Sequence, residues 1–202
     1  MKILQGNIWA HLRQGYKVVV TTNIGWGVPY GTRDRRVKNN MGAGLAWQAQ
    51  KYFPELPVWY GETVRALYSP SAPFVPPVEH PRYPLIFLPV KLMHPSGPHL
   101  SWAHEANLEL IEAGLVRLAA HHGEIALTMP GCGNGGLHPS QVLPLLERHL
   151  QADRFVVVDQ QPASRLGPLT PDEGKGLVEL LDELEGIPGE PAEPAEASPV
   201  LH

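Results

Sequence analysis

Short apolar runs alternate with helix-period stripes along the first 160 or so residues of this chain. Lys17-Val-Val-Val-Thr-Thr22, Leu85-Ile-Phe-Leu-Pro-Val-Lys91 and Arg154-Phe-Val-Val-Val-Asp159 are nearly continuous apolar segments rich in β-branched residues. Strands of a parallel sheet, covered on both faces, carry this pattern. Residues 1–4 and 125–128 read as two shorter strands, and residues 58–66 as another. Between them the period changes. Residues 46–53 form a helical segment stopped by Pro54. Ser101 is placed to cap a long helix over 102–122, with Leu108, Ile111, Leu115 and Leu118 on one face. A further helix over 139–151 has Val142, Leu143, Leu146 and Leu150 as its stripe. Trp47 and Phe53 are expected in the core. Strands that alternate with helices predict an α/β fold, with helices on both faces of a mixed, mainly parallel sheet.

The pattern breaks in three places. Residues 24–38 carry Trp26, Pro29, Tyr30 and three glycines, then Arg33, Arg35, Arg36 and Lys38. Residues 67–84 are proline-rich, as in an ordered surface loop or an extended arm. After residue 161 the strand–helix alternation ends. Residues 162–186 include a short amphipathic stripe of Leu177, Leu180, Leu181 and Leu184, and residues 187–202 are a Pro/Glu/Ala-rich tail expected to be disordered. One domain over 1–161 follows.

Composition narrows the function classes. An apolar fraction of 43% supports a true core. A formal net charge of −4 argues against general coating of nucleic acid, so contact with it must come from a local patch. Cys132 is the single cysteine, which excludes an intrachain disulfide, and no Cys/His spacing suits a structural metal site. No run approaches the ~18 apolar residues of a membrane span, and residues 1–6 lack the apolar stretch of a secretory signal. A cytoplasmic monomer without cofactor is expected.

Candidate chemistry gathers at two glycine loops. Met129-Pro-Gly-Cys-Gly-Asn-Gly-Gly-Leu-His-Pro139 lies between a strand and a helix start. Glycines let successive N–H groups turn toward one point, and the following helix would add its own N–H groups and dipole. A single loop of this kind is more simply a tight connection. The second one, Asn39-Asn-Met-Gly-Ala-Gly-Leu45, turns the pair into a candidate diphosphate cradle. Asn23 and Lys91 end strands on the side where open α/β sheets bind ligands. A lysine closing a buried strand is either a chemical group or a snorkelling surface residue. Asn7 either reads a ligand edge or closes an Asx-turn. The 24–38 stretch is either a flap with Trp26 for a base and Arg33, Arg35 and Arg36 for phosphates, or a solvated loop.

Four segments, Thr21-Thr22-Asn23, Met41-Gly42-Ala43-Gly44-Leu45-Ala46, Phe87-Leu88-Pro89-Val90-Lys91 and Gly131-Cys132-Gly133-Asn134-Gly135-Gly136-Leu137, resemble macrodomains in composition and order. The branch they most resemble holds the DarG antitoxin and the terminal ADP-ribose glycohydrolases. The resemblance implies a three-layer α/β/α fold that binds ADP-ribose at the carboxyl ends of its strands. It places Asn7 and Ile8 near the adenine, where most macrodomains have an Asp at the first position. It sets Asn23 beside the distal ribose, and Met41, Gly42, Ala43, Gly44 and Leu45 in the first loop. Pro130, Gly131, Cys132, Gly133, Asn134, Gly135, Gly136 and Leu137 become the diphosphate loop. It also implies hydrolysis of an ADP-ribosyl link, with Lys91 acting on the anomeric carbon. Gly135 stands where terminal glycohydrolases have a second, carboxylate residue, as in DarG-type sequences. The implied substrate is ADP-ribosylated thymidine in single-stranded DNA, with carboxyl-linked ADP-ribose on protein or simple ADP-ribose reading as alternatives. The implied partner is a DarT-type ADP-ribosyltransferase toxin.

Overall fold

The computed structural model describes residues 1–31 and 33–159. The expected helix within 162–186 and the tail over 187–202 lie outside the described residues. Six strands form one sheet: β1 (Lys2–Gln5), β2 (Lys17–Asn23), β3 (Val78–Glu79), β4 (Leu85–Lys91), β5 (Ile125–Leu127) and β6 (Phe155–Asp159). Their order across the sheet is β1-β6-β5-β2-β4-β3. Every pairing is parallel except the short β3 against β4. The helices are α1 (Gly44–Tyr52), α2 (Leu56–Leu67), α3 (Leu108–Leu118) and α4 (Pro139–His149), with 3-10 helices at Ile8–Gln14 and Pro98–Ala103.

Both sheet faces are covered, which accounts for the unbroken apolar runs of β2, β4 and β6. On one face Val19, Ile86, Leu88 and Val90 meet Ile111, Leu115 and Leu118 of α3 and Val142 and Leu146 of α4. On the other, Tyr60 of α2 stacks on Phe87 with ring centroids 4.8 Å apart. Its buried hydroxyl accepts a hydrogen bond from Thr22 Oγ1 at 2.8 Å, and burial pushes its pKa up. The three-layer α/β/α arrangement is the expected one.

Three expectations need correction. Residues 58–66 belong to α2, not to a strand. Leu56, Tyr60 and Val64 recur every four residues and are all buried, and this spacing outweighs the local β-branched and aromatic content. The long helix expected from 102 starts at Leu108, where Asn107 Oδ1 caps the Leu110 N–H at 2.7 Å. Ser101 lies instead in the second 3-10 helix, fully buried, and accepts from the His94 N–H. Phe53 is in the core, whereas Trp47 is 47% exposed.

Pro89 positions the end of β4. The β2–β4 ladder pairs Thr22 with Pro89 but Asn23 with Lys91, skipping Val90. Proline offers no N–H to the ladder, and the shift falls at this point. Asn23 and Lys91 thereby arrive side by side at the carboxyl edge of the sheet.

Candidate active site

The first glycine loop is tied to the end of β2 by asparagines. Asn23, 5% exposed, donates from Nδ2 to Asn40 O at 3.0 Å and accepts the Gly25 N–H at 2.9 Å. Asn39 Nδ2 donates to Asn23 O at 2.9 Å and to Gly25 O at 2.7 Å. Asn40 Oδ1 accepts the Gly42 N–H, and Gln50 Nε2 donates to Met41 O. Asn23 is therefore a brace under the loop as well as an edge residue. Gly44, at φ +58°, opens α1, whose N-cap Ala43 provides no side-chain acceptor. The first N–H groups of α1 thus lack a side-chain cap, which is the setting that favours an anion.

The second loop closes on itself. Leu137 N–H bonds to Gly131 O at 3.2 Å, Gly136 N–H to Gly133 O at 3.0 Å, and Cys132 N–H to Met129 O at 3.3 Å. The N–H groups of Gly133, Asn134 and Gly135 make no hydrogen bond among the described residues. Gly135 passes so near Gly131 that a Cβ would stand 2.8 Å from Gly131 C and from Ala106 Cβ, and nearer still to Gly131 O. The backbone leaves no room for the missing carboxylate. The helix after the loop contributes less than expected. Pro139 has no N–H, and His138 takes the next ones, Nδ1 from Ser140 N–H and O from Gln141 N–H.

The two loops meet. A Cβ on Gly44 would lie 3.2 Å from Asn134 Nδ2. Lys91 Nζ donates to Asn134 O and to Trp102 O, each at 2.9 Å, so the lysine bridges the second loop and the second 3-10 helix. Burial lowers its pKa from the ordinary lysine value. That direction opposes the effect of a nearby diphosphate, which would hold the amine protonated.

Asn7 sits beyond the carboxyl end of β1, and its Oδ1 accepts the Trp9 N–H at 3.1 Å, closing the turn into the first 3-10 helix. Ile8, Met41 and Leu45 are buried core side chains, so any ligand contact from them comes through the backbone. Pro130, Gly131 and Gly135 are buried, Cys132 and Leu137 half-buried, and Gly42, Ala43, Gly133, Asn134 and Gly136 exposed.

The 24–38 flap is closed at its base by a two-way backbone bridge between Gly27 and Lys38. Its cations are unequal. Asp34 pairs with Arg36 at 3.0 Å and with Lys38 at 2.7 Å, and these bonds hold its carboxyl well below the usual range. Arg33 and Arg35 are exposed and form no ion pair among the described residues. Sequence reasoning missed Asn39 and Asn40 as anchors and the 98–103 segment as a wall of the site, since neither has a recognisable spacing.

No family model matches the sequence, and no curated protein matches it. Solved structures do. The chain is similar to the macrodomain of Thermus aquaticus DarG, at 25% identity and TM-score 0.51, over 80% of this chain and 97% of that one. It is similar to the macrodomain of Mycobacterium tuberculosis DarG, at 24% identity and TM-score 0.53, over 79% and 97%. The fold is that of a macrodomain. A third match is Thermosipho africanus DarTG in complex with ADP-ribose, at 21% identity and TM-score 0.53. The present chain is covered to 82% there but spans only 42% of that chain. Among the described residues no helix is long and apolar enough to cross a membrane, and no cluster of His, Cys, Asp or Glu suits a metal.

Proposed function

We propose that this macrodomain binds ADP-ribose across its two glycine loops and hydrolyses an ADP-ribosyl link on nucleic acid, in a Lys91-dependent reaction. The observation that carries the proposal is the position of Lys91. Its partly desolvated amine stands at the strand end, bonded to Asn134 O of the loop that would hold the diphosphate. The N–H groups of Gly133, Asn134 and Gly135 and the start of α1 meet one phosphate each. Asn7 and the turn it closes lie at the β1 end of the same edge, on the adenine side.

In this reading the neutral Lys91 amine attacks the anomeric carbon. The bond from that carbon to the base breaks, and the base leaves with a proton. The resulting adduct opens the sugar to an imine, which water hydrolyses to ADP-ribose and free Lys91. No second carboxylate takes part, because Gly135 has no space for one. DarG is a model for the substrate class, ADP-ribosylated thymidine in single-stranded DNA. The modifying enzyme would then be a DarT-type transferase. Arg33 and Arg35, rather than Arg36, supply the free charge of the flap.

The test presents ADP-ribosylated single-stranded DNA and ADP-ribosylated protein side by side. Lys91→Ala is expected to lose release from DNA by orders of magnitude and to keep ADP-ribose affinity in calorimetry. Full activity of Lys91→Ala would refute the nucleophile. Release from protein alone would move the substrate to carboxyl-linked ADP-ribose. The two carbonyls that hold Lys91 Nζ favour one other reading, a non-catalytic ADP-ribose reader. Wild-type protein that binds ADP-ribose and releases nothing from either substrate would establish it.

A further inference from the structure

A groove of about 340 Å³ opens beside the flap, lined by Trp26, Val28, Val37, Arg65, Pro98 and His99. We propose that it is a subsite for a nucleotide flanking the modified one, so that a single strand leaving Lys91 is held there. The proposal rests on the hydrolase reading above and adds where the strand goes.

Position is the first argument. Ile24 N–H donates to Lys91 O at 3.1 Å, so Trp26 begins the groove two residues beyond the pairing that places Lys91. The far wall is the 3-10 helix Pro98–Ala103, whose Trp102 carbonyl also holds Lys91 Nζ. A Cβ on Gly27 would meet His99 Cβ at 2.9 Å, and one on Gly25 would meet Pro98 O and Ser101, so flap and helix are in direct contact. Sheet order separates the two sites. The second glycine loop follows β5, on one side of β2, and β4 with the 98–103 segment lies on the other. A leaving group displaced at Lys91 therefore has the groove on the β4 side as a neighbouring surface that the glycine loops do not occupy.

Chemistry is the second argument. Trp26 meets Tyr68 edge-on, with centroids 5.5 Å apart and planes at 63°, and is the aromatic side chain of the groove wall on which a base would stack. Arg65 is exposed, carries no ion pair among the described residues, and stands at the groove wall where a phosphate would pass. None of the lining residues is acidic, in a chain whose formal net charge is −4. The volume lies at the low end of small-ligand sites, ~300–1,000 Å³. That is room for one base with its sugar.

The experiment measures binding of a short unmodified oligothymidylate by fluorescence anisotropy over a range of salt, with ADP-ribose affinity measured in parallel. Arg65→Gln, on an exposed helix position, is expected to weaken the oligonucleotide several-fold and to lower the log–log salt slope by about 0.7. Trp26→Ala is expected to weaken it by roughly 5- to 150-fold. Neither is expected to change ADP-ribose affinity. Unchanged oligonucleotide affinity and slope in Arg65→Gln, together with unchanged affinity in Trp26→Ala, would overturn the subsite. The two readings fail separately. Wild-type protein that binds the strand through Arg65 and Trp26 but never releases ADP-ribose from it leaves the groove standing and removes the hydrolase. Normal release with binding indifferent to both variants does the reverse.

Discussion

Gly135→Ala tests whether the second loop is as tightly determined as its geometry implies. The added Cβ would lie 2.8 Å from Ala106 Cβ and from Gly131 C, and nearer still to Gly131 O. Carbon atoms prefer about 3.5–4.0 Å, so the neighbours must yield by roughly 0.7 Å or more. They have little freedom to do so. Gly131, at φ +79°, is itself packed against Ala106, Ile111 and Leu137, and the Ala106 N–H is bonded to Gly135 O at 2.8 Å. Overpacking of this kind typically costs about 1–3 kcal/mol. If the loop moves instead, a displacement near 1 Å lowers ligand-site performance by up to ~100-fold. The expected outcome is a lower melting temperature, a large loss of ADP-ribose affinity in calorimetry, or both. Gly133→Ala is the control. At φ +81° with nothing within 4 Å of its Cβ, it meets only backbone strain of about 1–2 kcal/mol and no clash. If Gly135→Ala kept wild-type melting and affinity while Gly133→Ala lost both, the steric reasoning would be wrong. The same argument says that Gly135→Asp will not install a working second carboxylate.

Other consequences can be checked independently. Burial lowers the His80 pKa to about 4, and its Nδ1 accepts the Arg82 and Tyr83 N–H groups, which requires the neutral ring. The unfolded chain, with a pKa near 6.5, binds the proton first. Stability is therefore complete above about pH 6.5 and falls by up to ~3 kcal/mol as pH drops toward 4. Melting curves across that window should show the loss, and His80→Gln should flatten it; equal slopes in both proteins would exclude His80 as the cause. Asn39, 2% exposed, serves through its Nδ2 donor, while its Oδ1 has no partner among the described residues. Asn39→Asp should thus be at least as damaging as Asn39→Ala, by about 2–4 kcal/mol in chemical denaturation, and a stable Asp variant would contradict the donor role. If the Lys91 amine is the nucleophile, kcat/KM should rise with pH to a plateau whose midpoint lies below the ordinary lysine value, near 10.4. A midpoint at that ordinary value would show that burial does not tune it.

The sequence by itself determined the layer plan and the identity of the edge residues. Valine-rich runs at 17–22 and 154–159 have only one stable environment, a sheet covered on both faces, and glycines spaced through 131–136 permit backbone turns that other residues resist. Such information is local, so it is present in the chain before it folds. What the tertiary structure decided is relational. Residues 56–67 chose helix over strand because Leu56, Tyr60 and Val64 found a sheet face to bury against. Arg36 and Lys38 share one partner, Asp34, a selection among the flap cations that its turn makes. Gly135 became a steric requirement because Gly131 and Ala106 close around it. Pro89 shifted one ladder by a residue and so set Lys91 beside Asn23. The contacts of Tyr60 with Phe87, of Ala106 with Gly135 and of Lys91 with Asn23 are not encoded in spacing along the chain, since each joins two segments that only packing makes neighbours.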